Sequence, residues 1–328
     1  MKIAVLGAGA WGSAISINLA PRHEVTLWVR DAAQYSAMRL ARSNERYLPG
    51  LALPDNLVIE NDFAAAVKGC ALVLAAVTTG GLRETLRRLK AGRCASPVVW
   101  LCKGFEKQHA KLPHQICAEE LGADARCGVL SGPSFAEEVA RGLPAAVTLA
   151  SADAEFARET AQRLHSTTLR IYSSSDVVGV EVAGAVKNVM AIAAGICDGL
   201  RLGLNARAAL ITRGLAEITR LGVRLGGRPE TFMGLAGAGD LILTCTGDLS
   251  RNRRVGLRLA QGLPLKDILA ELGHTAEGVF TAHEVARLAQ ELNVDMPITS
   301  AVCRVLDDPR TASAAVSDLM QRDAKAEN

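Results

Sequence analysis

Aromatic side chains are scarce in this 328-residue chain, and neither sign of charge is in clear excess. Only 4% of the residues are aromatic, and 37 basic against 34 acidic residues leave a formal net charge of +3. Single-stranded nucleic acid needs aromatic stacking platforms, and duplexes or acidic membrane surfaces need a concentrated basic face. The composition therefore predicts no nucleic-acid partner.

Metal and disulfide patterns are also missing. The eight cysteines contain no C-x-x-C pair, and most of them have apolar neighbours in the sequence. Such cysteines are typical of buried thiols in a reducing compartment, not of a disulfide framework or a zinc site. We therefore expect a cytoplasmic protein without a metal ion. The cysteines are Cys70, Cys94, Cys102, Cys117, Cys127, Cys197, Cys245 and Cys303.

Long apolar runs are absent as well. No stretch of 18 apolar residues is free of charge, so we expect no membrane span. The first 20 residues are largely apolar after Lys2 and superficially resemble a signal peptide. The polar Asn18, the regular glycine spacing and a strand pattern that resumes at Val25 favour a folded element instead.

What the chain does contain is a glycine turn near its N-terminus. An apolar segment of strand length precedes Gly7, Gly9 and Gly12, and a helical pattern over residues 13–20 and a second strand over residues 25–29 follow. In a dinucleotide-binding unit the first glycine makes a tight turn, the second lets the backbone approach the pyrophosphate, and the third lets the helix sit close to the sheet. Because a helix N-terminus favours an anion, the segment predicts a dinucleotide site rather than a structural turn.

Two charges at the end of the second strand bear on the cofactor. An acidic residue there binds the ribose of NAD, whereas an arginine suits the 2′-phosphate of NADP. In this chain Arg30 comes first and Asp31 follows. We interpret Arg30 as making NADP(H) acceptable while Asp31 leaves NAD(H) open, and the alternative is a solvated charge pair.

The order of the elements predicts two domains. Residues up to about 175 alternate strands and helices, as in a doubly wound, mostly parallel sheet, and residues 78–81 form a predicted turn after a wholly apolar strand. After residue 176 long helical patterns follow, without a convincing strand. We expect a Rossmann-type α/β domain over residues 1–178 and an all-α domain over residues 179–328, an architecture like that of 6-phosphogluconate dehydrogenase.

The helix predicted over residues 176–200 carries a lysine in an apolar sequence. Lys187 is followed by Asn188, and almost every other residue is Val, Ala, Ile, Met or Gly. A lysine in such surroundings is costly to bury unless it is paired or used, and a buried lysine can exchange protons near neutrality. Small residues such as Gly184 and Gly195 share its face, so we expect room for a ligand there. The alternative is a lysine that snorkels to the surface.

Two later segments supply further polar groups. Asp240 heads an apolar helical segment with Thr244 one turn on, and it suits a lysine or a substrate hydroxyl, or it is merely an N-cap. Ser250, Arg251 and Asn252 begin an amphipathic helix. A hydroxyl cap, a guanidinium fork, an amide and free N–H groups together predict a phosphate site, the alternative being a solvated basic turn.

These motifs together resemble those of bacterial NAD(P)-dependent sn-glycerol-3-phosphate dehydrogenases. The resemblance spans nearly the whole chain and rests on the ordered motifs G-A-G-A-W-G, C-K-G-F-E, S-G-P-S-F-A-E-E-V-A, A-G-A-V-K-N, G-A-G-D-L-I-L-T-C, S-R-N-R and A-E-G. It implies an oxidoreductase that interconverts dihydroxyacetone phosphate and sn-glycerol 3-phosphate with NADP(H) or NAD(H). Such an enzyme supplies glycerol 3-phosphate for phospholipid synthesis, and a homodimer is compatible with it.

The resemblance also implies a role for each matching residue. Lys187 is the expected proton donor or acceptor, with Lys103 and Asp240 as its catalytic neighbours. The expected cofactor contacts are Gly7, Gly9, Ala10, Trp11, Gly12, Arg30, Lys103, Ala136, Arg251 and Glu277. The expected substrate contacts are Lys103, Gly132, Ser134, Lys187, Asp240, Thr244, Ser250, Arg251 and Asn252.

Glu277 and two rival functions complete the expectations. Glu277 lies near the start of a helix, where it contacts a ligand or only favours the helix dipole.

One rival function is a dehydrogenase of the same architecture that acts on a 3-hydroxy acid or phosphogluconate, and the adjacent Lys187 and Asn188 argue against it. The other is a non-catalytic nucleotide sensor, against which the presence of Lys103 and Asp240 counts.

Overall fold

The computed structural model describes part of the chain in two compact units. The described residues are 1–107, 109–272 and 276–322. The first unit consists of Met1–Glu106 and Lys111–Glu181, and the second of Lys107–Ala110 and Val182–Asn328. The main chain passes from one unit to the other inside a long helix, after residue 181. The boundary at residue 178 stays a prediction.

A mostly parallel sheet forms the centre of the first unit. The strands are β1 (Lys2–Leu6), β2 (Glu24–Trp28), β3 (Ser43–Asn44), β4 (Leu48–Ala52), β5 (Val58–Glu60), β6 (Leu72–Ala75), β7 (Val98–Trp100), β8 (Cys127–Ser131), β9 (Ala145–Ala150) and β10 (Leu169–Ser174). Eight of them form one sheet in the order β10-β9-β8-β7-β6-β1-β2-β5, and β3 pairs with β4 separately. Among the described pairs of the large sheet only β8 and β9 are antiparallel, so the predicted doubly wound sheet is confirmed.

The position of β1 determines where its glycine turn lies. Val5 of β1 is opposite Leu27 on one side and Leu74 on the other, so β1 is an inner strand. Strands that are covered on both faces are continuously apolar, which is why β1, β6 and β7 contain almost no polar residue. The sequence order of the strands reverses beside β1. In open α/β sheets, ligands bind at the carboxyl end of the strands at such a point.

Helices flank the strands of the first unit, and the regular secondary structure described in the second unit is helical. They are α1 (Ala10–Leu19), α2 (Ala32–Ala41), α3 (Phe63–Val67), α4 (Thr79–Ala91), α5 (Pro113–Leu121), α6 (Ala136–Ala140), α7 (Ala154–Leu164), α8 (Val177–Gly199), α9 (Gly203–Arg224), α10 (Pro229–Met233), α11 (Asp240–Thr246), α12 (Arg251–Leu259), α13 (Leu265–Leu272), α14 (Glu277–Glu291), α15 (Pro297–Asp307) and α16 (Ala312–Met320). A π-helical turn, Leu235–Gly239, precedes α11. The predicted helical C-terminal part is thereby confirmed.

The predicted turn over residues 78–81 is wrong. Helix α4 already begins at Thr79, with Thr78 as its extended N-cap residue. The leucines Leu82, Leu86 and Leu89 are buried on one face of α4. This amphipathic packing outweighs the weak helix propensity of the two glycines, which lie in the first turn.

Helix α8 is a core helix. By length and composition alone it could cross a membrane, but 89% of its most apolar window is buried inside the protein. Asp176 caps it by accepting a hydrogen bond of 2.9 Å from the Gly179 N–H. One turn on, Glu181 accepts a hydrogen bond of 2.9 Å from the backbone N–H of His114 and also contacts its ring. This buried carboxylate joins the start of α8 to the first turn of α5.

Candidate functional site

The glycine turn between β1 and α1 has the shape that the spacing predicts. Gly7 has φ +118°, and a Cβ atom there would lie 2.6 Å from the carbonyl oxygen of Ala76. A Cβ atom at Gly12 would lie 1.9 Å from the carbonyl oxygen of Gly7. A Cβ atom at Gly9, in contrast, would meet no atom of the described residues within 4 Å. Gly7 and Gly12 therefore shape the turn, while Gly9 keeps space beside it.

The first turn of α1 fits an anionic group. Ala10 is the first residue of the helix and Trp11 the second, and no side chain in the described part of the protein caps the N–H groups of this turn. Uncapped N–H groups at a helix N-terminus attract a negative charge. Together with the space at Gly9, this is the arrangement that a dinucleotide pyrophosphate requires.

The two charges after β2 have different surroundings. The Asp31 carboxylate caps α2 by accepting a hydrogen bond of 2.7 Å from the Gln34 N–H. Arg30 is exposed, and its carbonyl oxygen accepts a hydrogen bond of 3.3 Å from the Asn61 side chain. Asp31 therefore has a structural partner in α2, whereas Arg30 is exposed to solvent.

Three expected site residues meet after β7 and β8. The Lys103 Nζ atom donates a hydrogen bond of 3.2 Å to the carbonyl oxygen of Gly132, and the Ser134 hydroxyl donates one of 3.0 Å to the same oxygen. Gly132 has φ +142°, and a Cβ atom there would lie 2.9 Å from the backbone of Val147. Ala136 begins α6 shortly after. Their grouping follows from strand ends that share one edge of the sheet, a signal that the sequence already contained.

Lys187, Asp240 and Thr244 form a buried polar group in the second unit. Lys187 makes a short ion pair with the Asp240 carboxylate and donates a hydrogen bond of 3.0 Å to the Thr244 hydroxyl. That hydroxyl donates one of 2.6 Å to the Asp240 carbonyl oxygen. Lys187 is 6% exposed and Asp240 1%. The lysine therefore does not snorkel, and Asp240, with helical φ and ψ of −71° and −32°, is not an N-cap.

The surroundings of this group are apolar. Cys245, next to Thr244, is fully buried, and burial raises the pKa of its thiol to about 12. The π-helical turn that leads into α11 fits only because Gly237 lacks a side chain, since a Cβ atom there would lie 2.0 Å from the carbonyl oxygen of Phe232. Charges in such a desolvated place interact more strongly than in water.

An amide chain links α8, α12 and α14. The Asn252 side chain donates a hydrogen bond of 3.0 Å to the Asn188 side chain and accepts one of 3.1 Å from the Gly278 N–H. Glu277, the first residue of α14, is the neighbour of Gly278. Ser250 caps α12 as expected, by accepting a hydrogen bond of 3.3 Å from the Arg253 N–H. The residue after the catalytic lysine candidate thus contacts the predicted phosphate site.

The basic run on α12 divides into exposed and engaged arginines. Arg251 and Arg254 are exposed. Arg253 is mostly buried and pairs with Asp198 at 2.7 Å and with Asp248 at 2.9 Å. The local sequence around Arg253 and around Asp198 contains no signal that the two side chains meet, so their pairing cannot be predicted from it.

The expected room for a ligand along the small face of α8 is wrong at Gly195. A Cβ atom at Gly195 would lie 2.0 Å from the carbonyl oxygen of Arg253, and one at Gly256 would lie 2.0 Å from that of Ile192. The backbone of α12 therefore occupies this part of the face. The small residues serve a close helix crossing there rather than a ligand.

The described residues contain no group of three or more His, Cys, Asp or Glu side chains arranged to hold a metal ion.

The chain is similar to known proteins over its full length. Two family models match, one described as NAD-dependent glycerol-3-phosphate dehydrogenase N-terminus over residues 2–157 and one as its C-terminus over residues 176–317. The glycerol-3-phosphate dehydrogenase [NAD(P)+] of Dechloromonas aromatica is 61% identical, over 100% of this chain and 99% of that protein. The corresponding protein of Thiobacillus denitrificans is 58% identical over 100% of both chains.

A solved structure agrees with these relatives. The crystal structure of glycerol-3-phosphate dehydrogenase from Coxiella burnetii has a TM-score of 0.93 and 42% sequence identity, covering 98% of this chain and 99% of that one. The similarity therefore extends over both units of the chain.

Proposed function

The chain belongs to the NAD-dependent glycerol-3-phosphate dehydrogenase family, and from this we propose that it interconverts dihydroxyacetone phosphate and sn-glycerol 3-phosphate with NADP(H) or NAD(H). The observation that supports the chemistry best is the buried Lys187–Asp240 pair, bonded to Thr244. A buried ammonium group is a proton donor that needs no metal ion to polarise a carbonyl.

We propose the following roles for the reduction. A bound reduced nicotinamide supplies a hydride to the ketone carbon. Lys187 donates a proton to the carbonyl oxygen, on which negative charge develops, while Asp240 and Thr244 hold its Nζ atom in place. Lys103 adds positive charge, and Gly132 and Ser134 line the substrate.

The remaining residues are proposed to bind the phosphate group of the substrate and the cofactor. Ser250, Arg251 and Asn252 at the start of α12 are the proposed phosphate ligands, because a helix N-terminus with a guanidinium fork suits a phosphate dianion. The free energy gained by binding the phosphate also serves to orient the distant ketone group. The proposed cofactor ligands are Gly7, Gly9, Ala10, Trp11, Gly12, Arg30, Lys103, Ala136, Arg251 and Glu277.

The assay for this function compares substrates directly. Oxidation of NADPH and of NADH is followed by absorbance with dihydroxyacetone phosphate, and reduction of NADP+ and NAD+ with sn-glycerol 3-phosphate, a 3-hydroxy acid and 6-phosphogluconate. Turnover of the two triose-derived substrates, and of no other, supports the proposal. Turnover only of the 3-hydroxy acid or of 6-phosphogluconate indicates the rival dehydrogenase, and no turnover with any substrate indicates a nucleotide sensor.

Replacing Arg251 by alanine is expected to raise the KM for dihydroxyacetone phosphate by roughly 30- to 1000-fold, because a charge-assisted phosphate contact is lost. The kcat value should change much less. The matched control is Arg254→Ala, which removes another exposed arginine from the same helix. An unchanged KM in Arg251→Ala, or an equal rise in Arg254→Ala, would contradict the assignment.

Replacing Arg30 by alanine is expected to raise the KM for NADPH about tenfold and to leave that for NADH nearly unchanged, because only NADP carries a 2′-phosphate. Asp31→Ala should act through stability instead, since its carboxylate caps α2. Steady-state kinetics with both cofactors check this, and equal effects of Arg30→Ala on both would refute the role.

We also propose a cytoplasmic homodimer that supplies glycerol 3-phosphate for phospholipids, divided functionally at residue 178. The eight cysteines, which are thiols in the structure, suit a reducing compartment. Large exposed apolar side chains in the second unit, including Leu204, Met233 and Ile242, suit a contact between copies.

A further inference from the structure

The helix crossing of α8 and α12 has no assigned role in the reaction. Helix α8 carries Lys187 and Asn188, and α12 carries the proposed phosphate ligands Arg251 and Asn252. Any contact that fixes α12 on α8 therefore also fixes the distance from the proton donor to the phosphate ligands.

The crossing is made of backbone rather than of side chains. A Cβ atom at Gly256 would lie 2.0 Å from the carbonyl oxygen of Ile192, and one at Gly195 would lie 2.0 Å from that of Arg253. The glycines let the two main chains approach closely, and a side-chain atom added at either position would meet main chain. A larger residue there would therefore push α12 away from α8.

Two polar contacts fix the first turn of α12 on α8. Asn188, next to Lys187, bonds Asn252. Further along α8, Asp198 pairs with the neighbouring residue Arg253, which also pairs with Asp248 in the loop before α12. Arg207 of α9 contacts Asp198 at 3.2 Å as well. The pairs involving Asp198 and Arg253 are mostly buried, where ion pairs are screened little.

We propose that this crossing is a spacer that determines substrate length. It rests on the proposed function, and it holds Lys187 and the phosphate ligands at the separation suited to a ketone whose phosphate ester is attached to the adjacent carbon. Asn188, Asp198, Arg253 and Gly256 are then positioning residues that never touch the reacting atoms.

The test compares variants that disturb the crossing with one that does not. Gly256→Ala forces α12 away from α8, and Asp198→Ala removes the anchor of Arg253 on α8. Asp248→Ala is the matched control, since it removes a carboxylate from the same guanidinium without touching α8. Circular dichroism and thermal unfolding establish folding, and Asp198→Ala carries the test if Gly256→Ala does not fold.

The kinetics compare dihydroxyacetone phosphate with a longer homologue, the 4-phosphate ester of 1,4-dihydroxybutan-2-one. This homologue has one more methylene group between the ketone and the phosphate ester. For each protein we would measure the KM for the triose phosphate, the specificity constant kcat/KM for both ketones, and competitive inhibition by inorganic phosphate. Both crossing variants should raise the KM by about tenfold and lower the preference for the shorter ketone by a similar factor. Inhibition by phosphate alone and the KM for NADPH should stay within about twofold.

Other outcomes overturn the spacer. Parallel loss of phosphate inhibition would show that the crossing only supports the phosphate site. An unchanged KM in the crossing variants, or an equal effect of Asp248→Ala, would also refute it. A wild-type chain that does not reduce dihydroxyacetone phosphate refutes the proposed function instead, so the two failures are distinguishable.

Discussion

Replacing Lys187 by alanine is expected to lower kcat for dihydroxyacetone phosphate by roughly 1000-fold or more and to leave NADPH affinity within about twofold. The loss combines a missing proton donor with a missing positive charge beside the developing oxyanion. Single-turnover absorbance measures the chemistry, and fluorescence titration measures cofactor affinity. Lys266→Ala, which removes an exposed lysine of the same unit, is the matched control.

The same substitution should also destabilise the fold. It removes the ammonium group that pairs with the Asp240 carboxylate, which is only 1% exposed, and an uncompensated buried charge costs about 3–5 kcal/mol. The double variant Lys187→Met/Asp240→Leu replaces both charges by apolar groups and should recover most of that stability in urea unfolding, without activity. Near-normal kcat in either variant would refute the proton-donor role.

Alanine at Gly9 and at Gly12 should have opposite consequences for stability. Gly9 has φ −77° and ψ −174°, which alanine adopts freely, and its Cβ atom would meet nothing in the described part of the chain within 4 Å. Gly9→Ala should therefore melt like the wild type but bind NADPH roughly 10- to 100-fold more weakly, because the Cβ atom fills the space proposed for the pyrophosphate.

At Gly12 the clash is internal. The new Cβ atom would lie 1.9 Å from the Gly7 carbonyl oxygen, so α1 must move away from the turn, and overpacking of this kind costs about 1–3 kcal/mol or more. Gly12→Ala should lower both the melting temperature and the cofactor affinity. Calorimetry with and without NADPH separates the two variants, and a stable Gly12→Ala with normal affinity would contradict the description of the turn.

The sheet can be predicted because its signals are local. Apolar runs such as residues 71–77 and the spacing of Gly7, Gly9 and Gly12 are visible in a few consecutive residues. The start of α4 at Thr79 cannot be predicted in the same way, since burial of Leu82 and Leu86 outweighs two glycines. Helix propensity alone therefore does not predict where a helix begins when tertiary packing determines its first residue.

The candidate site shows the same division. Lys187 and Asp240 stand out by their unusual sequence surroundings, and the structure pairs them. The contact of Asp198 with Arg253 joins residues 55 positions apart, and no local pattern records it. For the same reason the sequence around Gly195 suggests room for a ligand, although the backbone of α12 fills it.

The hydrogen bond from the His114 N–H to Glu181 limits where this chain can be joined to a second chain of the same architecture in a chimaera. The Glu181 carboxylate lies three residues past the predicted boundary at residue 178, yet its partner His114 belongs to α5 of the first unit. A chimaera joined at residue 178 would separate the two and leave the first turn of α5 dependent on whatever the new helix supplies. A recombination point that preserves this bond therefore lies beyond residue 181, inside α8 rather than before it.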